Sequence, residues 1–335
     1  MSRADDRMAA PVRRDHAVRL SIVLPMYNEA QVIGDLFAQL TQVVGALEGV
    51  TSTELVCVND GSRDGTGAAL DALATDAPAP GRPAVRAVHL ARNFGHQAAV
   101  LCGLAHARGD VVVVMDADLQ DDPAALPRFL DGWRAGDDVV YAVRVKRKES
   151  IAKRAAFAGF HRLLGGIART PIPVDAGNFS LLDRRVVDAV VALPEVDRYF
   201  PGLRAWIGFR QRGVPVERNP RYDDQPRVSF GGLVRLAKTA IFGFSSLPLT
   251  VFYGLAVLSG LAFAGVAGFA LYHKLFTGLA IPGWASILMA ACFFGALNAL
   301  GIAVLGEYVI RIYDQVRRRP TYLVARASGD TEETA

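Results

Sequence analysis

Two carboxylates one residue apart, Asp116 and Asp118, stand directly after the β-branched run Val111 to Val114. Four consecutive valines read as a buried parallel strand, so Met115-Asp-Ala-Asp-Leu-Gln-Asp-Asp-Pro123 is the loop that leaves it. In open α/β sheets, ligands bind in the crevice outside the carboxyl ends of the strands. With the amide oxygen of Gln120, the two carboxylates make a hard oxygen donor set for Mg²⁺ or Mn²⁺. Such an ion keeps several waters and grips a substrate diphosphate. The same loop also suits a plainer role, an acidic turn that caps the helix opened by Pro123.

The elements that must position this loop follow from the pattern around it. Arg19 to Pro25 is a first buried strand with the exit loop Met26-Tyr-Asn-Glu29. A helix is expected over Glu29 to Leu47, with Ile33, Leu36, Phe37 and Leu40 on one stripe. Glu54 to Val58 is a second strand, and it runs into the polar turn Asn59-Asp-Gly-Ser-Arg-Asp-Gly-Thr66. Val85 to Leu90 is a third strand, after which Ala91-Arg-Asn-Phe-Gly-His-Gln97 opens a helix. A helix over Pro123 to Arg134 and a fifth strand over Asp138 to Val143 follow the valine run. Strands alternating with helices at this spacing predict a mostly parallel α/β sheet covered on both faces. A nicotinamide-binding domain would need G-x-G-x-x-G after the first strand, and here that turn reads Pro25-Met-Tyr-Asn-Glu29.

The chain has 335 residues, 51% of them hydrophobic, and a mean hydropathy of +0.24. The excess is concentrated in two apolar runs, Leu249 to Tyr272 and Trp284 to Val309. Each exceeds the roughly 20 residues needed to span a bilayer, and the short link between them predicts a transmembrane hairpin over 247–310. Arg311, Arg317, Arg318, Arg319 and Arg326 follow the second run, whereas the link carries only His273 and Lys274. The positive-inside rule then puts the large N-terminal domain and both termini in the cytoplasm, as a multi-pass protein of the inner membrane. Residues 1–18 are expected to form a disordered basic arm, and they lack the apolar core of a signal peptide. Cys57, Cys102 and Cys292 have no paired or metal-type spacing and fit a reducing compartment. The net charge of +4 is modest, and no nucleic-acid partner is expected.

Several of these stretches, taken together and in order, carry a resemblance. Ser21-Ile-Val-Leu-Pro-Met-Tyr-Asn-Glu29, Val58-Asn-Asp-Gly-Ser-Arg-Asp-Gly-Thr66 and the Met115 to Pro123 loop resemble family 2 glycosyltransferases of the GT-A fold. Arg92-Asn-Phe-Gly-His96, Asp175-Ala-Gly-Asn-Phe179, Phe244-Ser-Ser-Leu-Pro-Leu249, Gly306-Glu-Tyr308 and Arg319-Pro320 are similar to the polyprenyl-phosphate branch. That branch includes dolichyl-phosphate mannosyltransferases and bacterial undecaprenyl-phosphate glucosyltransferases. The resemblance implies a nucleotide-sugar donor, UDP-glucose favoured, and a polyprenyl phosphate acceptor. It implies that Pro25, Tyr27, Glu29 and Asp60 hold the base and ribose. Asp116 would approach ribose and metal, Asp118 and Gln120 would ligate the metal, and Arg144, Arg221 and Arg227 would bind phosphates. Asp175 would orient the acceptor or take its proton. Relatives often carry Gly-x-Ser-Lys-Tyr where this chain has Asp224-Gln-Pro-Arg-Val228, so a cation is retained at Arg227 without the small and aromatic neighbours.

An acceptor with a buried tail accounts for two amphipathic stretches. In 150–169, Phe157, Phe160, Leu164 and Ile167 share a helical face, away from Arg154, Arg162 and Arg169. In 229–246, Phe230, Leu233, Val234, Ala237, Ile241 and Phe244 form a stripe, with Arg235 and Lys238 off it. Such helices lie in the bilayer interface with cations at the headgroups. The expected organisation is thus an arm, a catalytic domain over 19–228, a juxtamembrane helix over 229–246, the hairpin, and a cytoplasmic tail over 311–335. The resemblance also allows a homo-oligomer assembled through the spans. Alternative activities are a GDP-mannose-dependent mannosyltransferase, a processive polysaccharide synthase and a non-catalytic membrane scaffold. The synthase should carry Gln-x-x-Arg-Trp, to which the nearest stretch is Arg204-Ala-Trp206. A scaffold has no need of Asp116, Asp118, Gln120 and Asp175 together.

Overall fold

The computed structural model describes residues 13–75, 82–145, 176–194, 199–217, 247–272, 275–276 and 283–329. Its strands are β1 (Val18–Met26), β2 (Val50–Asn59), β3 (Ala84–Leu90), β4 (Val111–Val114), β5 (Val139–Val145), β6 (Ala176–Asp183), β7 (Gln211–Glu217) and β8 (Val324–Ser328). They form one sheet in the order β7-β5-β6-β4-β1-β2-β3-β8. The neighbours β3-β2-β1-β4 are all parallel, as the alternation predicts, and β6 and β8 are antiparallel to both or their one neighbour. The chain leaves β1 towards β2 and β3, then returns to place β4 on the other flank of β1. That reversal makes the β1/β4 boundary the switch point, where the exit loops diverge and leave a crevice.

Alternation along the strands feeds two apolar layers. Leu20, Ile22 and Leu24 of β1 join one layer, whereas Val23 joins the other. The first is covered by α1 (Ile33–Gly45), α2 (Thr66–Thr75) and α4 (Leu126–Arg134), through Leu36, Leu70 and Phe129. The buried stripe of α1 is the expected one, Ile33, Leu36, Phe37 and Leu40. The second layer is covered by α3 (His96–His106), α5 (Arg184–Ala192) and α6 (Phe200–Trp206), through Leu101, Val187 and Phe200. Each such side chain contributes about 1.5–3 kcal/mol by leaving water. α3 lies close on β1 because Gly103 faces Val23, which occupies the space a side chain at 103 would need. Cys57 and Cys102 are buried space-filling thiols, and burial pushes Cys102 up to about 12.

Several boundaries differ from expectation. The region expected as a free arm is already tied down at Arg14, which donates to Asp138 Oδ1 (2.5 Å) and Asp137 O (2.8 Å) and stacks over Trp133. The helix expected from Pro123 starts as a single 3₁₀ turn, Pro123–Ala125, capped by Asp122, which accepts from Ala124 N. The tail expected beyond 310 remains helical to Arg317, and residues 324–328 then return as the edge strand β8.

The apolar helices, α7 (Leu247–Tyr272) and α8 (Trp284–Arg317), belong to a separate unit. Phe252 of α7 packs at Gly301 of α8, and Phe263 meets Phe294 edge to face at 6.3 Å. These pairings run in opposite chain directions, so the two helices form an antiparallel pair. Leu261 and Ile302 are 67% and 64% exposed, the reverse of a soluble core. Among the described residues, Phe293–Arg317 is long and apolar enough to cross a membrane, and Val251–Gly265 is a shorter apolar stretch. Glu307 is paired with Arg311 one turn on, at 3.3 Å.

Gly103→Ala should lower stability by about 1–3 kcal/mol through overpacking on Val23. Gly34→Ala, at an exposed helix position with open space around it, should not. Thermal unfolding of the two variants in detergent checks the contrast.

Candidate active site

The exit loops of β1, β2, β3 and β4 open at one edge of the sheet and are laced together by side-chain bonds to main chain. After β1, Asn28 takes a left-handed φ of 56°, and its N–H donates to Ser62 Oγ at 3.0 Å. Its own Oδ1 accepts from Arg63 N at 2.9 Å. Glu29 N donates to Thr66 Oγ1, and Ala30 N to Asp64 Oδ2. The polar turn 59–66 is therefore a clasp on the first exit loop, with Asp64 also accepting from Thr66 N at the start of α2.

Asp60 extends the clasp to the third loop. Its two carboxylate oxygens accept from Phe94 N at 2.7 Å and Gly95 N at 2.9 Å. Burial raises the pKa of Asp60, while these two amide bonds oppose the rise. Gly61, at φ +66°, permits the approach, since a Cβ there would lie 2.5 Å from Asn93 N. The observed partners of Asp60 are thus main-chain amides, and any nucleobase would have to share oxygens already engaged. Pro25 is buried within β1, Glu29 is buried just beyond it, and Tyr27 is 36% exposed on the rim.

The third loop reaches the fourth through a histidine that motif reading left without a role. His96, the first residue of α3, places Nε2 3.4 Å from Asp116 Oδ1 and 2.7 Å from Asn178 Nδ2. Because β6 runs antiparallel to β4, its first residues lie beyond the exit of β4, which brings Asn178 to this edge. The acidic loop closes on itself, with Asp116 N donating to Asp121 Oδ2 and Gln120 N to Asp118 Oδ1, each at 3.2 Å. Leu119 between them is held at φ 59°, a conformation that costs a non-glycine residue on the order of 1–3 kcal/mol. The strained residue lies in the loop that carries Asp116, Asp118 and Gln120.

Among the described residues, no three His, Cys, Asp or Glu side chains converge into a complete metal cage. Two carboxylates and an amide oxygen in one short loop fit instead the partial shell of Mg²⁺ or Mn²⁺ that substrate phosphates and water complete. Arg144 lies in β5, whose carboxyl end points to the same edge as that of β4. Asp175, Arg221, Arg227 and both amphipathic stretches, 150–169 and 229–246, lie outside the described residues. Ala176, the residue after Asp175, opens β6 at the edge just described. Beneath it sits Arg204, fully buried, donating to Gly177 O at 3.1 Å and stacked 4.7 Å from the Tyr141 ring. Burial lowers its pKa to about 10, so it stays cationic at neutral pH.

Residues 21–191, just over half of the chain and including every rim loop, match the family model Glycosyl transferase family 2. The chain belongs to that family. An uncharacterized glycosyltransferase of Synechocystis sp. is 39% identical over 313 residues, covering 93% of this chain and 96% of its own. The bactoprenol glucosyl transferase of Shigella phage SfII is 33% identical over 313 residues, covering 92% and 98%. A solved mannosyltransferase from Pyrobaculum calidifontis, in complex with GDP-Man and Mn²⁺, is similar at 22% identity and a TM-score of 0.45, covering 92% and 86%. The expected family therefore holds for this chain, together with the expected mostly parallel sheet with helices on both faces.

Asp60→Asn places an NH₂ against one of two main-chain donors in this family 2 rim. It should destabilise the protein by about 1–3 kcal/mol and speed hydrogen exchange at the Phe94 and Gly95 amides. Exchange that matches the wild type would contradict the clasp.

Proposed function

We propose that this protein transfers a hexose, glucose favoured, from its UDP-linked form to a polyprenyl phosphate at the cytoplasmic face of the inner membrane. The observation that carries this reading is chain-long identity with proteins named bactoprenol glucosyl transferase. It extends through the catalytic sheet and the apolar helices alike. The apolar side chains left outward on α7 and α8 support a hairpin across the bilayer, with the cationic tail and the catalytic domain on the cytoplasmic side.

In this reading Pro25, Tyr27 and Glu29 hold the nucleoside, and Asp60 fixes the loop beside it. Asp116, Asp118 and Gln120 hold Mg²⁺ or Mn²⁺, which when bound supplies positive charge to the diphosphate. Arg144, Arg221 and Arg227 bind phosphate oxygens, a task suited to the planar guanidinium fork. An oxygen of the acceptor phosphate attacks the anomeric carbon from the face opposite the nucleotide. The bond from that carbon to the diphosphate oxygen breaks, UDP leaves with the electron pair, and the configuration inverts. The nucleophile is already anionic, so catalysis lies chiefly in stabilising the leaving group electrostatically. Asp175 orients the acceptor or takes the proton of a monoprotonated phosphate.

The test is transfer of radiolabel from UDP- and GDP-sugars to undecaprenyl phosphate by the full chain in detergent. Glucose from UDP-glucose should enter the lipid phase. A chelator should abolish transfer, and Asp118→Asn should reduce it by roughly 100-fold or more. No transfer from any donor would overturn the proposal, and transfer from GDP-mannose alone would reassign the sugar.

A further inference from the structure

The C-terminal strand lies far from the acidic loop, yet a directed chain of hydrogen bonds runs from it into the turn that carries Asp60. β8 pairs antiparallel with β3, matching Ala327 to Val88 and Arg326 to His89. Arg326 grips both oxygens of Asp71 on α2, at 2.6 and 2.5 Å, and Ser328 Oγ donates to the same carboxylate at 2.9 Å. His89 of β3, buried between strand and helix, places Nε2 3.0 Å from Asp71 Oδ1. Its Nδ1 lies 3.0 Å from Asn59 Nδ2. Asn59 Oδ1 accepts from Ser62 N at 2.9 Å, and Ser62 Oγ accepts from Asn28 N.

The directions are self-consistent and leave no choice of tautomer. A carboxylate accepts only, so His89 must carry its proton on Nε2 and accept on Nδ1. The Asn59 NH₂ then donates to His89, and its oxygen is turned to the Ser62 amide. Burial lowers the His89 pKa, which favours this neutral form, and Arg326 holds Asp71 well below the usual carboxylate range. Ordered in this way, the network fixes the rotamer of Asn59, the residue next to Asp60.

We propose that β8 is a positioning element of the donor-nucleotide site, with Arg326 acting through Asp71, His89 and Asn59 on the 59–66 turn. An edge strand that served only to cover β3 would need main-chain pairing and side chains that repel further strands. It would not need a bidentate ion pair that continues as a buried relay to an exit loop.

This inference rests on the proposed donor site, and its test separates the two. Arg326→Met and Arg326→Lys are made in the full chain, and steady-state transfer is measured with amide hydrogen exchange over 59–66. Arg326→Met should raise the donor KM several-fold, with kcat and the acceptor KM within about twofold of wild type, and should speed exchange at the Ser62 amide. Arg326→Lys should recover part of the loss. Unchanged exchange in 59–66 would overturn the proposal whatever the activity. So would faster exchange with an unchanged donor KM, or a loss borne by kcat or by the acceptor KM. Wild-type protein without transfer from any donor would overturn the functional reading itself, and this inference with it.

Discussion

The Asp60 carboxylate, buried and shared between the amides of Phe94 and Gly95, is the interaction on which the rim of exit loops depends. At the carboxyl ends of parallel strands the ladder runs out, and main-chain donors there need other acceptors. This chain supplies them from side chains, with Asn28, Asp60 and Asp64 each bonded to the backbone of a neighbouring loop and Asn59 bonded to Ser62 N within its own turn. The desolvation that raises the Asp60 pKa is offset by those two amide bonds. Four loops that could each wander are held as one rim, and the strained Leu119 turn can present its carboxylates against it.

Like-charged carboxylates crowded into one short loop must be held near one another without being driven apart. The acidic loop uses its own backbone for this, through Asp116 N to Asp121 and Gln120 N to Asp118. His96 and Asn178 then bridge it to β6, the strand entered from Asp175. Arg204 supplies a buried cation beneath that entry, bonded to Gly177 O. A guanidinium that deep is costly in isolation, and stacking on Tyr141 and Phe200 offsets part of the cost.

Sequence reading recovered what short-range pattern encodes. Val111 to Val114 is buried on both faces, so it reads as a continuous apolar run and locates the acidic loop without further help. The α1 stripe is equally plain, because period and burial coincide. β6 carries Gly177 and Asn178, residues poor in β-propensity, and passed unread. β8 is an exposed edge whose support comes from Asp71, 255 residues away, and no local window contains both partners. Asp60 was legible as a polar turn residue, but its partners 34 and 35 residues on belong to tertiary structure. His96 stood inside a recognised motif, yet only the fold brings it to Asp116 and Asn178.

The central claim is that donor nucleotide and divalent ion occupy one crevice at the β1/β4 boundary. Anomalous diffraction from crystals of the full chain grown with UDP and Mn²⁺ tests it most directly. The account predicts a single manganese peak at coordination distance, about 2.0–2.6 Å, from Asp118 and the diphosphate oxygens, with the uracil beside Tyr27. A nucleotide bound elsewhere, or bound at this rim with the manganese away from Asp116, Asp118 and Gln120, would contradict it.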